Sequence, residues 1–285
     1  RSTQGYSSAS SDVYKRQNRE SFVKDSSVND FIQWLSTKLD AGFIHSYTDR
    51  RTKKVWDCIS VYNAYEKYQW GGEDFSGNAK ILDKLSSDLK NSIENKDTAM
   101  CSTACLGILK WGGALRGNKE KIEGNESLVQ YLKDAKEKLT TGNIDSWDFY
   151  KEVYMNSGFT KIYSLYIDDF IIYDSRVGAA LGFLVRCYCE EKKLDKVPEL
   201  LRFAYGNGKG GTNRNPSSGN YKFPLLRNAG YYDNHIENNL KANWLLKAVL
   251  SYPSKFKNIP KKQQLRALEA ALFMIGYEVP GKSEK

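Results

Sequence analysis

Apolar residues recur at three- and four-residue spacing along most of this 285-residue chain, and that period commits it to helices before any motif is considered. Phe31, Trp34, Leu35 and Leu39 follow Val28 on one such face, and Val55, Ile59, Tyr62 and Tyr65 repeat the pattern. Beyond Gly71-Gly72, Ile81, Leu82, Leu85, Leu89 and Ile93 mark a third helix. Asp97 stands where an N-cap belongs, ahead of a small-residue segment, Thr98–Trp111, that stops at Gly112-Gly113, where glycine supplies the left-handed cap conformation. Asn125 is expected to cap a helix with Leu128, Tyr131, Leu132, Ala135 and Leu139 on its buried stripe, and Asp145 to cap the next, carrying Trp147, Tyr150, Val153 and Tyr154.

Val177, Ala180, Leu181, Leu184, Val185 and Tyr188 give the most apolar helix, which is expected to be central. Pro198 sits near a short helical turn, and two further helices are expected over residues 234–251 and 260–277. No strand-length alternation and no internal repeat stand out, so the expected fold is all-α, of about ten helices, with residues 170–173 as its one extended bridge. With 40 % apolar residues the chain can bury a large core. The expected domain is 18–285, of one body or of two lobes (about 18–140 and 141–285) sharing a cleft. Residues 1–17, Ser-rich and without period, read as a non-native adapter-derived or disordered tail.

Several classes of function are disfavoured. No run reaches the roughly eighteen apolar residues of a membrane span, since Asp174, Arg176 and Arg186 interrupt the most apolar stretch. Five cysteines, an odd number without CxxC spacing, fit a reducing cytoplasm better than a disulfide framework, and two histidines leave little for a metal site. The balance of 43 Lys and Arg against 34 Asp and Glu, a net +9, favours polyanions. Residues 204–227 hold five glycines, two prolines, four basic residues and no acid, the composition of a long exposed loop. Lys209, Arg214, Lys222 and Arg227 could there contact a phosphate backbone. Tyr163, Tyr166, Tyr173, Tyr231 and Tyr232 are candidates for stacking on an extruded base, and His235 reads as a capping or surface histidine.

The chemistry is expected at Lys161 and Asp174. A helix from residue 160 to about 168 rises roughly 12 Å, and the six or so extended residues that follow can span about 20 Å, enough to bring Asp174 back beside Lys161. Taken singly, an aspartate ahead of a helix is most simply its cap, and a helical lysine most simply solvated. Together they suggest a desolvated amine able to form a Schiff base, with a carboxylate to assist it.

Ser157-Gly158-Phe159-Thr160-Lys161, a short helix, and then Ile172-Tyr173-Asp174-Ser175-Arg176-Val177 resemble the catalytic hairpin of the helix-hairpin-helix DNA glycosylases, closest to bacterial 8-oxoguanine-glycosylase-like proteins. The resemblance covers about twenty-five residues. It implies a two-lobed helical architecture, DNA with a damaged base as partner, no cofactor, Lys161 as Schiff-base lysine and Asp174 as catalytic aspartate. It also implies phosphate contact by Gly158 and Thr160, with Arg176 beside the site. The hairpin here has one glycine where the family usually has two, and its bridge lacks proline. An alternative is therefore a non-catalytic nucleic-acid-binding or defence-associated protein on the same scaffold, and a blander one a helical module that binds protein.

Overall fold

The computed structural model describes residues 19–141, 150–226 and 232–281. The expectations for residues 1–17, for Asp145 and Trp147, and for Arg227 and Tyr231 lie outside the described residues. The fold is mostly helical: α1 (Arg19–Lys24), α2 (Ser26–Lys38), α3 (Val61–Glu66), α4 (Phe75–Glu94), α5 (Thr98–Trp111), α6 (Lys119–Glu123), α7 (Leu128–Thr140), α8 (Phe159–Tyr166), α9 (Ser175–Glu191), α10 (Tyr232–Val249) and α11 (Lys261–Ile275). Side-chain caps set several starts, as where Asp25 accepts from the N–H groups of Ser27 and Val28, and Asp74 from that of Gly77. No helix among the described residues is long and apolar enough to cross a membrane.

Three expectations are corrected. His45–Thr48 (β1) and Val55–Cys58 (β2) form an antiparallel hairpin, His45 opposite Cys58 and Thr48 opposite Val55, where the sequence reading saw no strand and gave Val55 and Ile59 to a helix. The alternation is real but only four residues long: His45 and Cys58 are buried, Tyr47 stacks on Trp56 at 4.8 Å, and Val55 and Ile59 are 72 % and 67 % exposed. Asn125 does not cap α7; its Oδ1 accepts the N–H of Ser127 at 3.0 Å in an Asx turn, and the helix starts three residues on. Tyr150 is 3₁₀-helical, but Lys151 and Glu152 form a turn and residues 153–155 are not helical; Val153 and Met155 point inward on either side of Tyr154.

The helices pack in two groups that do not follow the expected division at residue 140. α4 to α8 pack among themselves, while α1 and α2 pack on α9 and α10, and α11 packs on α3 and α9. The chain begins in one group, crosses to the other at α4, and crosses back between α8 and α9. One continuous core, from Phe22 to Val279, joins the two. Helix α9 lies at its centre as expected, with Leu181, Leu184 and Val185 wholly buried.

Candidate active site

The second crossing, residues 167–174, is what the site is built on. An extended segment in a core leaves its backbone groups without helical partners, and each must find another. Here side chains supply five of them. Ile171 N–H donates to Asn243 Oδ1 (3.0 Å), Ile172 N–H to Glu269 Oε2 (2.7 Å) and Tyr173 N–H to Thr160 Oγ1 (2.9 Å). Ile171 C=O accepts from Asn239 Nδ2 (3.2 Å), and Tyr173 C=O from His235 Nε2 (2.6 Å). Buried side chains of α8, α10 and α11 thus hold the bridge from three sides.

At its end Asp174 caps α9: Oδ1 accepts the N–H groups of Arg176 (2.9 Å) and Val177 (3.2 Å). Its other oxygen, Oδ2, lies 3.4 Å from Lys161 Nζ, which also donates to Ser157 C=O at 2.8 Å. Lys161 and Asp174 are 6 % and 8 % exposed. The expected return of Asp174 to the lysine is what the chain does, across α8 of eight residues.

Burial alone would raise the Asp174 pKa. The charges of Lys161 and Arg176 and the two cap N–H groups outweigh it and leave the carboxyl below its ordinary value, so it is a carboxylate at neutral pH. Glu269 goes the other way, raised by burial against the opposing pull of Arg266. His235 is pushed down to about 4, chiefly by burial, and is neutral; its Nε2 must carry the proton, because the Tyr173 carbonyl can only accept.

Both side chains line one narrow slot of about 50 Å³ between the two helical groups. On one side stand Phe75 and Trp111 with Lys161; on the other Asp174, Glu269 and Phe273. Trp70 and Phe273 meet edge to face at 5.3 Å, and the Arg176 guanidinium lies 4.0 Å from the Phe273 ring centre. A half-buried cation on aromatic faces is held by attraction to the ring quadrupoles, with the Asp174 charge adding to it without a direct ion pair.

The remaining candidates divide. Thr160 is fully buried and bonds Asn239 (2.7 Å) and the bridge, so it braces the site from within. Gly158 is buried too; its N–H donates to Asn156 Oδ1 (2.8 Å), and a Cβ there would lie 2.5 Å from Asn118 Nδ2. Lys209 and Lys222 are exposed, whereas Arg214 is buried and donates to the Ser175 hydroxyl. Residues 204–226 are not the expected exposed loop. Thr212, Arg214, Pro216 and Phe223 are buried, Tyr205 and Leu225 form an isolated bridge, and Arg186 donates to Pro216 C=O at 2.9 Å. Tyr163 and Tyr173 are fully buried with their hydroxyls on Tyr154 and Ala204 carbonyls, and Tyr166 is buried under Lys136, so none of the three can stack on a base. His235 is likewise a buried brace, not a surface or capping residue.

Glu269 and the asparagines are not among the residues that the sequence singles out, and Gly112 stands there only as a helix stop. A Cβ at Gly112 would lie 2.3 Å from Lys161 Cδ, so the Trp111-Gly112 corner is the floor on which the lysine stem rests. The signal for the asparagines was present: Asn234, Asn238, Asn239 and Asn243 share one helix although asparagine is a poor helix former. Comparison of the chain with protein-family models, with curated proteins and with solved structures returns no match.

Proposed function

We propose that this chain is a DNA base-excision enzyme of the helix-hairpin-helix glycosylase type, with Lys161 as nucleophile and Asp174 as its electrostatic partner. The observation that carries the reading is the Lys161–Asp174 pair, 3.4 Å apart and buried in an aromatic slot between two helical groups. A nucleotide flipped from a duplex would bring its C1′ to the mouth of the slot. The lysine amine, once it has given up a proton, attacks C1′; the C1′–N bond breaks, and the base leaves with its electron pair and is protonated. The amine then passes its second proton to O4′ as the C1′–O4′ bond breaks and the sugar ring opens to a protonated Schiff base, and removal of a C2′ proton expels the 3′ phosphate by β-elimination. Asp174, held ionised by its neighbours, is suited to stabilising positive charge at C1′ rather than to strong base catalysis. No step calls for a metal or an organic cofactor.

Borohydride trapping on duplexes carrying a panel of oxidised bases tests this. The expected result is a covalent adduct with wild type and none with Lys161→Gln. No wild-type adduct anywhere on the panel, or an undiminished one in the variant, removes the lysine mechanism. A second reading, a non-catalytic nucleic-acid-binding protein on the same scaffold, draws on one feature: the N–H of Gly158 is taken by Asn156 and is not offered to a phosphate. Tight duplex binding without excision by wild type would favour it.

A further inference from the structure

The β1–β2 hairpin carries chemistry that the slot does not use. Its turn reads Asp49-Arg50-Arg51-Thr52-Lys53-Lys54. It is fixed from within, because Asp49 Oδ1 accepts the N–H groups of Arg51 (2.9 Å) and Thr52 (2.7 Å), and Lys53 adopts a left-handed φ of 59° that few lysines take. Arg50 works inward. It pairs with Glu278 at 3.0 Å, donates to Gly210 C=O at 3.3 Å, and gives its backbone N–H to the Tyr277 hydroxyl at 3.1 Å. A Cβ on Gly211 would lie 2.6 Å from Arg50 Nη1, so glycine is what lets residues 209–211 come this close.

The hairpin turn is thereby pinned beside Lys209. Arg51, Lys53, Lys54 and Lys209 are exposed, and none of them makes an ion pair among the described residues, whereas Lys84 and Lys90 are paired with Asp88 and Asp168. The only nearby carboxylate on the turn, Asp49, is committed to backbone N–H groups. Aromatic rings connect this turn to the slot: Tyr277 stacks on Tyr47 at 4.7 Å and lies 4.9 Å from the Arg176 guanidinium, which rests on Phe273 in the slot wall. A few ring widths separate the basic turn from the slot. At about 1.7 Å of duplex axis per charge, that separation covers on the order of ten phosphates.

We infer that the hairpin turn, with Lys209 beside it, is a second nucleic-acid contact that grips the phosphate backbone of a duplex a fraction of a helical turn from the nucleotide at the slot. This rests on the nucleic-acid reading above. The contact supplies affinity without sequence preference, because lysine and arginine meet phosphates rather than base edges.

The salt dependence of duplex binding tests it, measured on the whole chain with an undamaged and an oxidised-base duplex. Wild type is compared with Arg51→Ser/Lys53→Ser/Lys54→Ser and with Lys192→Ser/Lys193→Ser/Lys196→Ser, which removes equal charge at the exposed far end of α9, about 25 Å from Asp174. Each neutralised phosphate contributes about 0.9 to the slope of log K against log salt, so the hairpin variant is expected to lose about 2 to 3 units of slope and about tenfold or more in affinity, with the control unchanged. A hairpin-variant slope within about half a unit of wild type, or an equal loss in the control, overturns the inference. A wild type that binds no duplex overturns both this contact and the base-excision reading. The expected slope loss without any excision supports the contact and removes base excision alone.

Discussion

At the start of α5, Asp97 accepts the N–H of Met100 at 2.9 Å; at the start of α9, Asp174 accepts those of Arg176 and Val177 at 2.9 and 3.2 Å. Both are side-chain caps, and they differ most in what precedes them. Asp97 follows a tight turn in which Lys96 takes a φ of 56° and the Asp97 N–H closes back on Ser92 C=O at 2.9 Å. That turn only joins two neighbouring helices. Asp174 follows a bridge clamped by Thr160, His235, Asn239, Asn243 and Glu269, which carries it across from one helical group to the other and aims its second oxygen at Lys161. One local device, a helix cap, becomes a candidate catalytic carboxylate when an approach held by side-chain hydrogen bonds fixes where it sits.

Substituting asparagine at both positions separates the two roles, because asparagine caps as well as aspartate does. Asp174→Asn is expected to lower excision by about 10²- to 10³-fold, the scale of removing one preorganised electrostatic group. It should also cost up to about 3 kcal/mol in stability, since Lys161 is left buried without its counterion. Single-turnover excision and denaturant unfolding read the two effects. Activity within about threefold of wild type would make Asp174 a cap and nothing more.

Gly112→Ala approaches the same pair from the lysine side. The backbone of Gly112, at φ −81°, suits alanine, but the new Cβ would press on the Lys161 stem at 2.3 and 2.6 Å. Displacing the amine by about 1 Å is expected to cost ten- to a hundredfold in trapping rate, with about 1 to 3 kcal/mol lost from stability. An unchanged trapping rate would mean that the position of the amine does not matter to the reaction.

The bridge makes a pH-dependent prediction. Folding lowers the His235 pKa from 6.5 to about 4, so between those values the unfolded chain binds a proton that the folded chain refuses. Stability is therefore present in full above 6.5 and falls as the pH drops through that window, by about 3 kcal/mol in all. His235→Gln keeps an N–H donor for the Tyr173 carbonyl and should flatten the stability curve between pH 6.5 and 4, read by urea unfolding across that range. The lowered Asp174 carboxyl adds its own loss further into acid in both proteins.

Much of this was legible in the sequence. Cap residues and glycine stops act within a few residues, so Thr98–Trp111 was readable to its ends. The approach of Asp174 to Lys161 was legible as a possibility, because the chain between them is long enough to return. The bridge contacts were not legible, because Asn239, Asn243 and Glu269 lie from 68 to 97 residues away from the backbone groups they hold. The hairpin escaped for the opposite reason: two four-residue strands carry too few alternations to outweigh a helical spacing of Val55, Ile59, Tyr62 and Tyr65. The slot's aromatic walls come from Trp70, Trp111 and Phe273, three separate elements that no local pattern connects.

The smallest expected effect falls on the other cap. Asp97 makes no ion pair among the described residues and bonds its own helix, so its removal acts on α5 alone. Asp97→Ala is expected to cost about 1 kcal/mol, the usual cost of losing a side-chain cap, and Asp97→Asn only a few tenths of that. Neither should alter duplex affinity or borohydride trapping at temperatures where the protein stays folded. Denaturant unfolding and trapping on one preparation decide the matter. If Asp97→Ala reduced trapping as Asp174→Asn does, activity would be following helix-start stability in general, and the special status of the α9 cap would be lost. If it lowers only the unfolding midpoint, the difference between the two aspartates lies in the bridge that delivers Asp174 to Lys161.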